Sequence, residues 1–170
     1  MAAAKQVVEL VSTKEIELFL PLMREIEFGD AFLLSMLHWC GIGKRSRPLE
    51  YWQVFLLSAK SQIIGVSGLY RQPGMPSNVC WLGWFAIRPK FRRQGFGTAA
   101  IHQLYPIARS AGSKEVLVYT DSNDVVARMF YIRLGFQVLG PASDHAPGKT
   151  MADSDIVLRM QLDLPGPSPL

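Results

Sequence analysis

At 170 residues, with 49% hydrophobic and 19% charged content, the chain has the balance of one compact, soluble domain. Its net charge is only +4, yet four of its eighteen Lys and Arg fall in one short stretch, Arg88, Lys90, Arg92 and Arg93; charge concentrated there, rather than spread over a face, points to an anionic ligand and away from nucleic acid. Two cysteines, Cys40 and Cys80, and three scattered histidines supply neither a disulfide framework nor metal ligands. With no export signal and no run of about 18 apolar residues, the expectation is a cytoplasmic protein without a metal or a membrane partner.

In chain order, Val7 to Val11 is a short apolar strand. Ser12-Thr13-Lys14-Glu15 has the form of a capping box, and Ile16, Phe19, Leu20 and Met23 follow at helical spacing, so a helix starts there. Pro21 would kink or shorten it, because an interior proline removes a hydrogen bond and clashes with the preceding turn. From Arg24 to Glu50 an apolar helical piece, Ala31 to Trp39, gives way to the loop GIGKRSRP, which either lines a substrate site or is an ordinary surface connection.

Tyr51 to Ser58 and Gln62 to Arg71 are β-branched and aromatic runs separated by Ala59-Lys60-Ser61, the spacing of a hairpin with a short loop, and Val79 to Ile87 is a third such run. These three are expected to be consecutive antiparallel strands. Gly97, Ile101, Leu104 and Ala108 follow helical spacing until Gly112 stops them, with Pro106 a second interior proline. Val116 to Thr120 is a buried strand, Val126 to Leu134 a helix stopped by Gly135, and Phe136 to Leu139 and Ile156 to Leu164 are strands. The order predicts a single α+β domain over residues 1–164, a mixed, mostly antiparallel sheet flanked by helices; PGPSPL at 165–170 is expected to be a disordered tail.

Between the third strand of that run and the next helix lies PKFRRQGFGT, a basic loop whose glycines fall where the helix begins. Backbone N–H groups at a helix N-terminus point outward without partners, the helix dipole adds positive potential, and glycine lets a phosphate approach the main chain. Arg92 and Arg93 add formal charge. A Walker loop is excluded because no Gly-Lys-Ser or Gly-Lys-Thr follows. A dinucleotide fingerprint is the closer rival, since Gly95, Gly97 and Ala100 fit its looser form and Asp121 lies near the end of the next strand. Against it, charged residues separate the strand from the first glycine, and only one β-α-β unit remains downstream.

The segment Trp81 to Gly140 resembles the acetyl-CoA core of the GNAT acetyltransferases. The family signature Arg/Gln-x-x-Gly-x-Gly/Ala is met by Arg92, Gly95 and Gly97, after an apolar strand leaving through Ile87, Arg88 and Pro89. Downstream, Ala127-Arg128-Met129-Phe130-Tyr131-Ile132-Arg133-Leu134-Gly135-Phe136 is similar to the family's Ala-x-x-x-Tyr-x-x-x-Gly-Phe block. The resemblance implies the GNAT fold, with acetyl-CoA as co-substrate. It puts the pyrophosphate on the main-chain amides of Arg93, Gln94, Gly95, Phe96, Gly97 and Thr98, and the pantetheine arm along the backbone of Phe85, Ala86 and Ile87. Gly83 would mark the bulge that the family carries in this strand.

By the same resemblance Tyr131 is the residue whose hydroxyl protonates the departing thiolate, or else a packing residue that only orders the cofactor. Where relatives carry an Asn contacting pantetheine, this chain has Asp124 with Asn123 beside it; either Asn123 takes over or Asp124 simply caps the helix. A general base is not singled out. Tyr119 occupies the place of the glutamate found in some relatives, leaving Glu27, Asp30, Asp121, His145 or a water relay.

The implied activity is transfer of acetyl to a primary amine by direct attack, as neither cysteine lies in a catalytic motif; the alternative is a non-catalytic acyl-CoA-binding regulatory domain. The acceptor, a small-molecule amine or a peptide or protein amine, would be chosen by Arg24 to Glu50 and Gly140 to Asp155, with Trp39, Trp81 and Trp84 either shaping an apolar pocket or filling the core. A homodimer is common in the family.

Overall fold

A computed structural model describes residues 8–12, 16–26, 34–35, 49–145 and 154–162. Among these, seven strands form one sheet in the order β1-β2-β3-β4-β5-β7-β6: β1 Glu9–Ser12, β2 Tyr51–Ala59, β3 Gln62–Arg71, β4 Val79–Ile87, β5 Glu115–Asp121, β6 Gln137–Pro141 and β7 Asp155–Gln161. The helices are α1 Leu20–Ile26, α2 Phe96–Ser110, α3 Val125–Arg133 and the single turn α4 Ala142–His145. The β4–β5 pair is parallel, and β1–β2, β2–β3, β5–β7 and β6–β7 are antiparallel. The chain clusters into two compact units, Met1–Met75 with Leu82–Ile107, and Pro76–Trp81 with Ala108–Leu170.

In the first unit β2 and β3 form the expected hairpin, closed by Lys60 and Ser61 with φ of 50° and 60°. Two successive left-handed residues make the turn whose twist matches that of the strands, although neither is the Asn or Gly that adopts it most easily. β3 is buried from Ile64 to Arg71, and it lies very close to β4. The N–H of Arg88 donates to the carbonyl of Ile64 at 2.8 Å, and a Cβ on Gly65 would sit 2.2 Å from the carbonyl oxygen of Ala86. Phe19, Leu57, Ile64, Leu69 and Ile101 are fully buried in this unit.

The N-terminal helix starts as a 3-10 turn, Ile16–Phe19, before α1. Pro21 is therefore in the first turn of α1, where its missing N–H has no intrahelical partner to lose, and it opens the helix instead of kinking it. Thr13 to Glu15 of the capping box, most of the Ala31 to Trp39 piece and the GIGKRSRP loop lie outside the described residues. Pro106 is carried inside α2 on an exposed face, so water can satisfy the carbonyl left without its donor.

In the second unit β5 lies between β4 and β7 in the sheet, and Cys80, Trp81, Ala108, Val157 and Leu158 are buried there to 1% exposure or less. Glycine stops both α2 and α3 as the sequence predicts. Gly112, at φ 81°, donates to Arg109 while Ser113 donates back to Ala108; Gly135, at φ 95°, donates to Ile132 while Phe136 donates to Tyr131. These paired bonds close the last carbonyls of each helix, which only a left-handed residue permits. α4 falls in a stretch the sequence reads as loop, and residues 146–153 and 163–170, including the PGPSPL tail, lie outside the described residues.

Candidate functional site

β4 delivers the chain to the basic loop. Within it Trp84, and not Gly83, takes the left-handed conformation at φ 53°. A bulky residue held there costs about 1–3 kcal/mol and persists only where its surroundings over-determine it, and such irregularities re-aim the side chains of a strand. Phe85 and Ala86 come next, half-buried, and then buried Ile87. Trp81, 1% exposed, is a core residue packed edge-on against Tyr119 at 6.1 Å rather than a pocket wall.

After Ile87 the chain makes a 3-10 turn, Pro89–Phe91, and reaches α2 through Arg92, Arg93, Gln94 and Gly95. The loop is shaped by its own side chains: Arg92 Nε donates to the carbonyl of Ile87 at 2.8 Å, and Gln94 Nε2 donates to the carbonyl of Lys90 at 2.8 Å. Buried Phe96 pins the start of α2, its ring edge-on to Phe91 at 6.1 Å. Arg93 at φ 61° and Gly95 at φ 85° alternate with right-handed or extended neighbours, the backbone pattern that turns successive N–H groups into one concavity. The first intrahelical bond runs from Ala99 N–H to Gly95 carbonyl. Among the described residues no backbone carbonyl accepts from the N–H groups of Arg93 through Thr98. Six such donors follow one another at a helix N-terminus beside exposed Arg93, an arrangement that can hold an oligophosphate.

The structure alters the charge expected there. Arg88 is bound to Glu25 of α1 through Nε at 2.7 Å and Nη2 at 2.5 Å, while its Nη1 donates to the carbonyl of Ile63 at 2.9 Å. Its guanidinium, hydrogen-bonded to the carboxylate, holds Glu25 below the usual glutamate range. Arg88 is therefore neutralised, and the cluster offers a ligand Lys90, Arg92 and Arg93. Nothing local in the sequence announces Glu25, which lies 63 residues away.

In the second unit Asp124 caps α3, its Oδ1 accepting from Ala127 N–H at 2.9 Å, the plainer of its two expected roles. Asp121 Oδ1 accepts from both the backbone N–H and the side-chain amide of Asn123, so that candidate base is a turn former. Tyr131 is 6% exposed, its ring edge-on to Phe130 at 5.2 Å and Phe136 at 5.4 Å. Burial, reinforced by the Asp124 carboxylate, pushes its hydroxyl above the ordinary tyrosine range. Tyr119 is raised by burial and by Asp155. His145 ends α4 with its Nε2 near Gly140. Glu27, Asp30 and Trp39 lie outside the described residues.

A mixed sheet in which β4 leads through an amide-rich loop into a helix, with β4–β5 parallel and β1–β2, β2–β3, β5–β7 and β6–β7 antiparallel, is not a dinucleotide fold. Residues 15–136, well over half of the chain, match the acetyltransferase (GNAT) family, and the chain belongs to that family. Its fold is similar to that of a GNAT family acetyltransferase from Elizabethkingia anophelis solved with acetyl-CoA bound (15% identity, TM-score 0.63, 91% of this chain and 97% of that one). It is similar also to an acetyltransferase of the GNAT family from Staphylococcus aureus (17%, 0.65, 92% and 100%) and to the ribosomal-protein-S18-alanine N-acetyltransferase from Escherichia coli (14%, 0.64, 97% and 99%). No curated protein matches the sequence.

Proposed function

We propose that this chain transfers an acetyl group from acetyl-CoA to a primary amine by direct attack. The carrying observation is the run of N–H groups from Arg93 to Thr98 without backbone acceptors, gathered by two left-handed residues at the start of α2. In this reading these amides hold the pyrophosphate, with Arg92, Arg93 and Gln94 forming the loop around it, and the pantetheine arm lies along the backbone of Phe85, Ala86 and Ile87. The E. anophelis structure, with acetyl-CoA bound on the same fold, supports the choice of co-substrate.

In the reaction the amine nitrogen bonds to the thioester carbon, the C–S bond breaks, the thiolate leaves, and one amine proton must pass to a base or water. An amine with pKa near 10 is protonated at neutral pH, so a first proton is lost to solvent before attack, and the one that passes to a base or water leaves the nitrogen once the C–N bond has formed. Tyr131 is assigned to the thiolate. Its raised pKa makes full proton transfer to a thiolate uphill; as a hydroxyl that stays neutral it stabilises the leaving sulfur by donating a hydrogen bond. Asn123 and Asp124 are already used within their turn and cap, which leaves the second Nδ2–H and the Oδ1 of the Asn123 side chain for the pantetheine arm.

The test is thiol release from acetyl-CoA against amines, amino acids and short peptides, beside calorimetric titration with CoA. Release with one acceptor class supports the proposal and names the acceptor. CoA binding with no release from any acceptor favours a non-catalytic acyl-CoA-binding domain, and no CoA binding rejects the cradle.

A further inference from the structure

Arg88 stands at the hinge between β4 and the amide-rich loop, next to Ile87, whose carbonyl holds Arg92, and Pro89, which begins the 3-10 turn. Its N–H and guanidinium make four bonds, to Ile64 and Ile63 on β3 and twice to Glu25 on α1, all within one compact unit. Side-chain exposure of 21% for Arg88 and 43% for Glu25 puts the pair at the surface, where a lone ion pair contributes little to overall stability. What this pair does have is geometry: a forked guanidinium on a carboxylate, with its remaining donor on a carbonyl, fixes direction as well as distance.

We infer that Glu25 and Arg88 form a positioning pair that sets the exit of β4, and so aims the loop amides at the pyrophosphate, with Arg88 making no contact to the ligand. The inference rests on the acetyl-CoA reading of the loop. It assigns a binding role to an acidic residue outside the loop, and it removes from the ligand the first arginine of a cluster that by sequence alone belongs to it.

The two roles for Arg88 differ in sign. Were its charge directed at the phosphates, Glu25→Gln would release a cation beside an anion site and tighten CoA binding, and Arg88→Lys, which keeps the charge, would be mild. As a positioning pair, Glu25→Gln weakens CoA binding by about fivefold, the size of a well-formed surface pair, and Arg88→Lys weakens it as much as Arg88→Gln. The double variant Glu25→Gln/Arg88→Gln is no weaker than either single one, because each change removes the same strut.

The experiment is calorimetric titration of the full chain and these four variants with CoA, with kcat measured at saturating acetyl-CoA. Expected are a raised Kd and KM for the cofactor with kcat within about twofold of wild type. Tighter binding in Glu25→Gln, or mild behaviour of Arg88→Lys beside a large loss in Arg88→Gln, overturns the inference while leaving the acetyl-CoA reading standing. Failure of the wild type to bind CoA overturns that reading itself. Should Arg88→Gln not fold, Glu25→Gln and Arg88→Lys carry the sign test alone.

Discussion

Replacing Gly65 by alanine places a Cβ 2.2 Å from the carbonyl oxygen of Ala86 and 3.1 Å from Cδ1 of Ile87. A carbon approaches a carbonyl oxygen to about 3.3 Å at closest, so β3 and β4 must separate there by about 1 Å. Both blocking atoms belong to the stretch Phe85 to Ile87, and the nearer one is backbone that cannot rotate aside. Overpacking of this kind costs about 1–3 kcal/mol, which for a chain of this size lowers Tm by about 2–12 °C. The same displacement moves the strand proposed to carry the pantetheine arm, and misplacement on that scale costs up to about a hundredfold in rate. Thermal unfolding and CoA titration of Gly65→Ala together provide the assay. A variant that melts with the wild type and binds CoA equally well would refute the close approach of β3 to β4 as a constraint on the site.

Tyr131→Phe keeps the ring among Phe130 and Phe136 and removes only the hydroxyl, so Kd for CoA and Tm should hold while kcat falls by about a hundredfold; an unchanged kcat rejects the donor role. Substituting Lys60-Ser61 by Asn-Gly relieves two left-handed non-glycine residues and should stabilise the hairpin by about 1 kcal/mol with activity unchanged, measured by denaturant unfolding. Glu25 has its folded pKa lowered by Arg88, so its contribution is complete above the unfolded value of about 4.3 and is lost as pH falls through the lower folded value. The Tm difference between wild type and Glu25→Gln, small for a surface pair, should accordingly be full from pH 7 down to about 5 and narrow as pH falls below about 4.3; a gap that widens toward acid contradicts the pairing.

β3, β4 and the two helix stops were legible because their causes are local. Alternating β-branched and aromatic runs between turn residues fix Gln62–Arg71 and Val79–Ile87 to the residue, and Gly112 and Gly135 supply the left-handed stops that other residues resist. The start of α2 after the loop was legible for the same reason: glycine spacing and the helical periodicity from Gly97, one residue into the helix, are both short-range signals. Pro21 was misread because its effect depends on where the helix begins, and a preceding 3-10 turn moves the proline from the interior to the first turn. The bend in β4 falls on Trp84 rather than Gly83, where intrinsic preference points the other way and tertiary packing must decide. The Glu25–Arg88 pair joins residues with no pattern between them, so composition near Arg88 could only suggest an anion and not which one.

α2 and α3 begin differently. α3 carries Asp124, whose carboxylate takes up Ala127 N–H, and that end of the helix is finished when the chain folds. α2 is preceded by Gly95, which has no side chain to offer, and forgoes the side-chain bond of such a cap, a difference of only about a few tenths of a kcal/mol for glycine. Its first turn therefore depends on solvent, and in the proposed acetyl-CoA reading the phosphate would serve as the missing cap. Hydrogen exchange at Phe96, Gly97 and Thr98 should slow sharply when CoA binds, while the first turn of α3 barely changes. On that reading, the fraying of a single helix end would report whether the loop is occupied.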